Sequence, residues 1–123
     1  MNTEMQERKK VLIIDDEVDL SLLLQSFLTK KGYEVVISHT IAEGLAAINE
    51  SEPAILFLDN NLPDGTGWEI APSLAQKHKH LFIFLISAFH PTMPEMPEHS
   101  RFQLIEKPVS LAAIDECFAA QNF

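Results

Sequence analysis

Hydrophobic positions follow two patterns that alternate along the chain. Val11-Leu12-Ile13-Ile14, Ala54-Ile55-Leu56-Phe57-Leu58, Leu81-Phe82-Ile83-Phe84-Leu85-Ile86 and Phe102-Gln103-Leu104-Ile105 are short and nearly unbroken apolar runs. Runs of this kind read as strands buried on both faces, the habit of parallel sheets. Residues Glu34 to Ser38 add a further strand. Between the runs, apolar residues recur at helical spacing. Leu20, Leu23, Leu24, Phe27 and Leu28 predict a helix from Val18 to Lys31, stopped by Gly32. Thr40-Ile41-Ala42-Glu43 is a capping box that opens a helix through Asn49, with Ile41, Leu45 and Ile48 on one stripe. A third helix is expected from Trp68 to Lys79, where Pro72 is tolerable only in the first turn. Ser110 caps a last helix carrying Leu111, Ile114, Cys117 and Phe118. Strands alternating with helices imply an α/β fold, a parallel sheet with right-handed crossovers and helices on both faces. Residues 8–123 are expected to form one domain without internal repeat, and 1–7 a flexible start.

One segment breaks the alternation. From Ala88 to Arg101, Pro91, Pro94 and Pro97 recur at every third position. Proline inside a helix costs roughly 3 kcal/mol or more and disfavours helix in the residue before it. A fourth helix is therefore expected to be missing or irregular over 88–101, replaced by an extended loop or a single turn. Met93 and Met96 are expected to pack that loop onto the sheet, although Met also suits an adaptable partner surface.

The polar residues that end the strands carry the chemistry. The first strand runs into Asp15-Asp16-Glu17, the third into Asp59, the fourth into Ser87 and the fifth into Lys107. Each has a plainer reading. Asp15 or Asp16 could cap the first helix, Asp59 could open the Asn60-Asn61-Leu62-Pro63 turn, and Ser87 and Lys107 could be loop residues. Parallel strands share one carboxyl edge, however, and that edge is where open α/β sheets bind ligands. With strand order 2-1-3-4-5 the first and third strands are neighbours, so Asp15, Asp16 and Asp59 would crowd together. Carboxylates so placed stay ionised at neutral pH only with a compensating positive charge. Oxygen ligands without Cys or clustered His point to Mg²⁺. Lys107 adds a mobile ammonium and Ser87 a hydroxyl, which with a divalent ion make a phosphoryl-binding set. An Asp among them can be a nucleophile. The histidines at 39, 78, 80, 90 and 99 show no metal-ligand spacing, and His78 and His80 flank a helix end.

Composition narrows the setting. The 46% hydrophobic and 22% charged fractions are those of a globular protein. No apolar run is long enough for a membrane span, and the polar start lacks the core of a signal peptide. The single cysteine, Cys117, rules out an internal disulfide and fits a reducing cytoplasm. A formal net charge of −9 argues against a nucleic-acid surface and is compatible with acids gathered around a cation.

Taken together, Val11-Leu12-Ile13-Ile14-Asp15-Asp16-Glu17, the run into Asp59 with Leu62-Pro63 behind it, Ser87-Ala88 and Lys107-Pro108 resemble the receiver domain of two-component response regulators. The resemblance covers nearly the whole chain in the right order. It implies a doubly wound, flavodoxin-like sheet of order 2-1-3-4-5. It implies that Asp59 accepts a phosphoryl group from a sensor histidine kinase or a histidine phosphotransfer protein, in a phosphorelay or a direct transfer. Asp16, Asp59 and the Asn61 carbonyl would ligate Mg²⁺ directly and Asp15 through water, while Ser87 and Lys107 would bind the phosphoryl oxygens. A cis bond before Pro108 is common in the family. The chain would catalyse only its own phosphorylation and dephosphorylation, and an unidentified downstream protein would read the change at the fourth and fifth strands. Leu104 stands three positions before Lys107, where the family carries an aromatic, and Phe102 lies one pleat earlier. That departure, with the prolines, raises an alternative: a receiver-like interaction module that no longer switches. Aspartyl-phosphate hydrolases are a third class, but they carry a second Asp two residues after the nucleophile, where this chain has Asn61.

Overall fold

Five strands of one parallel sheet form where the chain alternates as described, in a computed structural model that describes residues 8–88 and 92–123. Counting the strands of this sheet alone, they are β1 (Lys10–Ile14), β2 (Glu34–Ser38), β3 (Ile55–Asp59), β4 (Phe82–Ser87) and β5 (Arg101–Glu106). Their order is β2-β1-β3-β4-β5 and every neighbouring pair is parallel. The helices are α1 (Val18–Lys30), α2 (Ile41–Ser51), α3 (Ala71–Lys77) and α4 (Leu111–Gln121). The expected flexible start at 1–7, and Pro91, lie outside the described residues.

Side chains on a strand alternate between faces, so the central strands feed two cores. Leu12, Ile14, Leu56, Leu58, Ile83 and Leu85 meet Ile48 of α2 and Leu74 of α3. Val11, Ile13, Ile55, Phe57 and Phe84 meet Leu24 and Leu28 of α1 and Ile114 and Phe118 of α4. Phe57 stacks on Phe84 with ring centroids 4.7 Å apart, and Phe118 lies parallel to both. Burying a residue of this size is worth about 1.5–3 kcal/mol. These layers bury β1, β3 and β4 up to their last residues.

The hydroxyls of Thr40 and Ser110 accept the N–H of Glu43 and Ala113 as the sequence predicts, but the Glu43 carboxylate accepts the N–H of His39 rather than that of Thr40, so the capping box is not reciprocal. The apolar stripes are narrower than predicted, because Leu23 and Leu45 are exposed. The third helix also differs. It begins as a 3₁₀ turn at Gly67–Ile70, and α3 ends at Lys77 with His78 as its C-cap. A regular α-turn from Trp68 would need the N–H of residue 72, which proline lacks. Ala71 N–H donates to the Trp68 carbonyl instead, the tighter 3₁₀ bond.

No helix forms within residues 92–100, where a turn closed by Ser100 N–H on the Pro97 carbonyl at 3.0 Å is found. Met96 packs against the core as expected, whereas Met93 is exposed. The fifth apolar run is not buried. Phe102 and Leu104 lie in register with Ile83 and Leu85 on the same face, yet remain 38% and 39% exposed. β5 is the edge strand, and among the described residues no helix covers that face. The apolar run misled because it counts hydrophobic residues, not the layer available to bury them.

Candidate functional site

Because all five strands point one way, their carboxyl ends meet along one rim. Asp15 directly follows β1, Asp59 ends β3, Ser87 ends β4 and Lys107 directly follows β5. The carboxylates of Asp15, Asp16 and Asp59 each bring an oxygen within 4.8 Å of the others. Asp15, Asp59 and Ser87 are buried, while Asp16 is exposed.

Asp15 is fixed from several sides. Its N–H donates to the Ser38 carbonyl at 3.0 Å, which ties β1 to β2 at the rim. Its own carbonyl accepts the Ser21 hydroxyl, and His39 Nδ1 lies 2.9 Å from the same oxygen. Its Oδ1 accepts the Glu17 N–H at 2.8 Å, ahead of α1. Helix capping therefore does not account for Asp15: Glu17 is the N-cap residue, and Asp15 Oδ2 is buried without a hydrogen-bond partner.

Lys107 reaches into this cluster. Its Nζ lies 3.4 Å from Asp59 Oδ1 and 3.5 Å from Asp15 Oδ2, and it donates to Glu17 Oε2 at 2.6 Å. A backbone bond from Lys107 N–H to the Ser87 carbonyl at 2.8 Å sets β5's exit beside β4's. The Lys107–Pro108 bond is cis. Burial, then the negative charge of Asp15, pushes Asp59 up to about 6 against the partial relief given by Lys107. Burial likewise raises Asp15 above the ordinary carboxylate range. Burial works to lower Lys107, but Glu17, Asp15 and Asp59 outweigh it and hold the ammonium above its ordinary value.

The loop after Asp59 folds back on itself. Asn60 N–H donates to the Ile86 carbonyl, and the Asn60 carbonyl accepts Gly67 N–H at 2.8 Å. Asn60 Oδ1 accepts the N–H of Trp68. Between these bonds, Asn61–Leu62 and Gly65–Thr66 pair as a short antiparallel ribbon. Gly67 is required by close approach: a Cβ there would lie 2.0 Å from the Asp59 carbonyl oxygen. Asp16, Asp59, Asn61, Ser87 and Lys107 line one cleft.

The rim thus brings together Asp15, Asp16, Asp59, Asn61, Ser87 and Lys107. Burial disfavours the charged form of such carboxyls, a cost that a nearby cation offsets. A buried carboxylate oxygen without a hydrogen-bond partner, Asp15 Oδ2, within an all-oxygen cluster fits a hard divalent cation such as Mg²⁺. Sequence reasoning missed the grip of Glu17 on Lys107, the contact of His39 with Asp15, and Asp64, whose carboxylate accepts two backbone N–H groups of α2. Glu17 could have been suspected from its place after two acids, but nothing local marks His39 or Asp64.

Residues 11–119 match the family model described as the response regulator receiver domain. The chain is 29% identical over 112 residues to the transcriptional regulatory protein BtsR of Escherichia coli strain K12, covering 89% of this chain and 46% of the relative. It thus spans about half the length of that curated relative. Among solved structures, the CheY-like receiver domain protein from Methanospirillum hungatei JF-1 superposes with a TM-score of 0.80 at 24% identity, covering 94% of both chains. TrrA from Thermotoga maritima, solved in complex with Mg(2+)-BeF, gives 0.77 at 23% identity, covering 91% of this chain and 97% of that one. These two likenesses bear on the fold.

Proposed function

The chain belongs to the response regulator receiver domains of two-component systems, and on that premise we propose that Asp59 accepts a phosphoryl group from a phosphohistidine donor, with Mg²⁺ bound at Asp15, Asp16, Asp59 and the Asn61 carbonyl. The observation that carries the proposal is the placement of the Lys107 ammonium 3.4 Å from Asp59 inside a cluster of carboxylates. In the transfer, an ionised oxygen of Asp59 attacks phosphorus. The P–N bond to the donor imidazole breaks, and the imidazole leaves with the bonding pair. Lys107 neutralises charge on the transferring oxygens, and its hold on Asp59 keeps that carboxylate oriented. Bound Mg²⁺ would supply further charge neutralisation at the same oxygens. Ser87 lines the same cleft, where its hydroxyl would hydrogen-bond the transferred group.

On this reading the chain has no separate substrate and catalyses only its own phosphorylation and dephosphorylation, in the cytoplasm. Its donor is a sensor histidine kinase or a histidine phosphotransfer protein. A downstream protein reads the change on the β4–β5 face. The Mg(2+)-BeF complex of the Thermotoga maritima relative lends the metal assignment support by analogy. The test is incubation of the chain with a small phosphodonor and Mg²⁺, read by intact mass. Wild type should gain one phosphoryl group and Asp59→Asn none; label that persists in Asp59→Asn, or never appears in wild type, overturns the proposal.

A second reading is favoured by Leu104, which is exposed where the family carries an aromatic, and by the lack of a helix over 92–100. The module would then bind its partner without switching. Partner affinity that is identical with and without phosphodonor would select this reading.

A further inference from the structure

Asp64 stands outside the acid rim, yet its contacts tie that rim to a helix. Its Oδ1 accepts the N–H of Ile41 at 2.8 Å and its Oδ2 that of Ala42 at 3.0 Å. Both donors lie in the first turn of α2, where backbone N–H groups have no partner within the helix. The Ile41 bond first, then the Ala42 bond, holds the Asp64 carboxyl below the usual carboxylate range. Thr40 already serves the next amide, that of Glu43. The helix start is thus capped twice, once locally and once from a residue more than twenty positions away.

That distant residue sits at the tip of the ribbon. Leu62 and Gly65 pair on either side of it, and Asn61 pairs with Thr66 one step nearer the site. The ribbon is fastened at its base by the Asn60–Gly67 bond and at its tip by Asp64. Gly65, at φ +147°, adds no stiffness of its own.

We propose that Asp64 is a positioning residue for the cation: by clamping the ribbon tip to the first turn of α2, it holds the Asn61 carbonyl at the metal-binding rim. This deepens the metal assignment made above and rests on it. Coupling of this kind is reciprocal. A cation that engages Asn61 stabilises the ribbon, so it also favours the clamp and protects the amides of Ile41 and Ala42.

The experiment is a Mg²⁺ titration of the full chain by calorimetry, for wild type, Asp64→Ala and Asp64→Asn. Amide hydrogen exchange at Ile41 and Ala42 is followed with and without saturating Mg²⁺. Thermal melts without Mg²⁺ establish that each variant folds. Asp64→Ala should bind Mg²⁺ roughly three- to tenfold more weakly, below the loss typical of groups bonded directly to a ligand. Asp64→Asn keeps one acceptor oxygen and should fall between the two. In wild type, Mg²⁺ should slow exchange at Ile41 and Ala42. Unchanged affinity in folded Asp64→Ala, or exchange at both amides indifferent to Mg²⁺, overturns the proposal and leaves the phosphoacceptor assignment standing. A wild type that binds no Mg²⁺ overturns both. Should Asp64→Ala fail to fold, Asp64→Asn decides, with undiminished affinity counting against the clamp.

Discussion

Asp59 is stored in an unfavourable state. Its carboxyl is displaced from 3.8 to about 6, which corresponds to about 3 kcal/mol at most. A carboxyl whose folded value lies above its unfolded one binds its proton more tightly when folded. Its contribution to stability is therefore present in acid, and is lost as pH rises through about 6. Without metal, Asp59→Asn should stabilise the protein at pH ~7 by about 1–3 kcal/mol, and by much less at pH ~4. Urea denaturation at the two pH values measures this, and equal effects at both would contradict it. Lys107 works in the opposite sense, since it offsets Asp15 and Asp59. Lys107→Met should slow phosphorylation by roughly a hundredfold, the loss seen when one preorganised donor is removed. Intact mass against time, with a small phosphodonor, reads that rate.

Among the elements, the β3–α3 connection is tightly constrained. Its return strand passes so close that a Cβ at Gly67 would press on the Asp59 carbonyl, a backbone atom with nowhere to go. Gly67→Ala should cost about 1–3 kcal/mol by overpacking, visible as a lower urea midpoint. It should also weaken Mg²⁺ binding, because the displaced atom belongs to the residue that would hold the cation. The segment between β4 and β5 shows the reverse case. Pro94 and Pro97 predict the lack of helix within residues 92–100 correctly, since proline removes a donor and excludes the residue before it from the helical region. The burial of β5 was not legible in the same way. Its apolar residues resemble those of β4, but the layer that would cover Phe102 and Leu104 is lacking among the described residues.

For the molecule as a whole, folding and cation binding should be one linked equilibrium. Only the folded chain assembles Asp15, Asp16 and Asp59, so Mg²⁺ at about 100 times its dissociation constant should add about 2.7 kcal/mol to the unfolding free energy. Urea titrations across a Mg²⁺ series check this, and Asp59→Asn should flatten the dependence. The effect should exceed that of general screening, because the same ionic strength from a monovalent salt does not neutralise a cluster of this geometry.

By itself, the order of residues determined the alternation of strands and helices, the caps at Thr40 and Ser110, and the rim on which Asp15, Asp59, Ser87 and Lys107 meet. These follow from local rules: strand period, cap chemistry, and the common direction of parallel strands. Only the tertiary structure decided which polar groups touch. The grip of Glu17 on Lys107, the contact of His39 with Asp15 and the clamp of Asp64 on α2 join positions far apart in the chain. The rise of Asp59 to about 6 has the same origin, because desolvation depends on what the folded chain packs around a carboxyl and not on its neighbours in sequence.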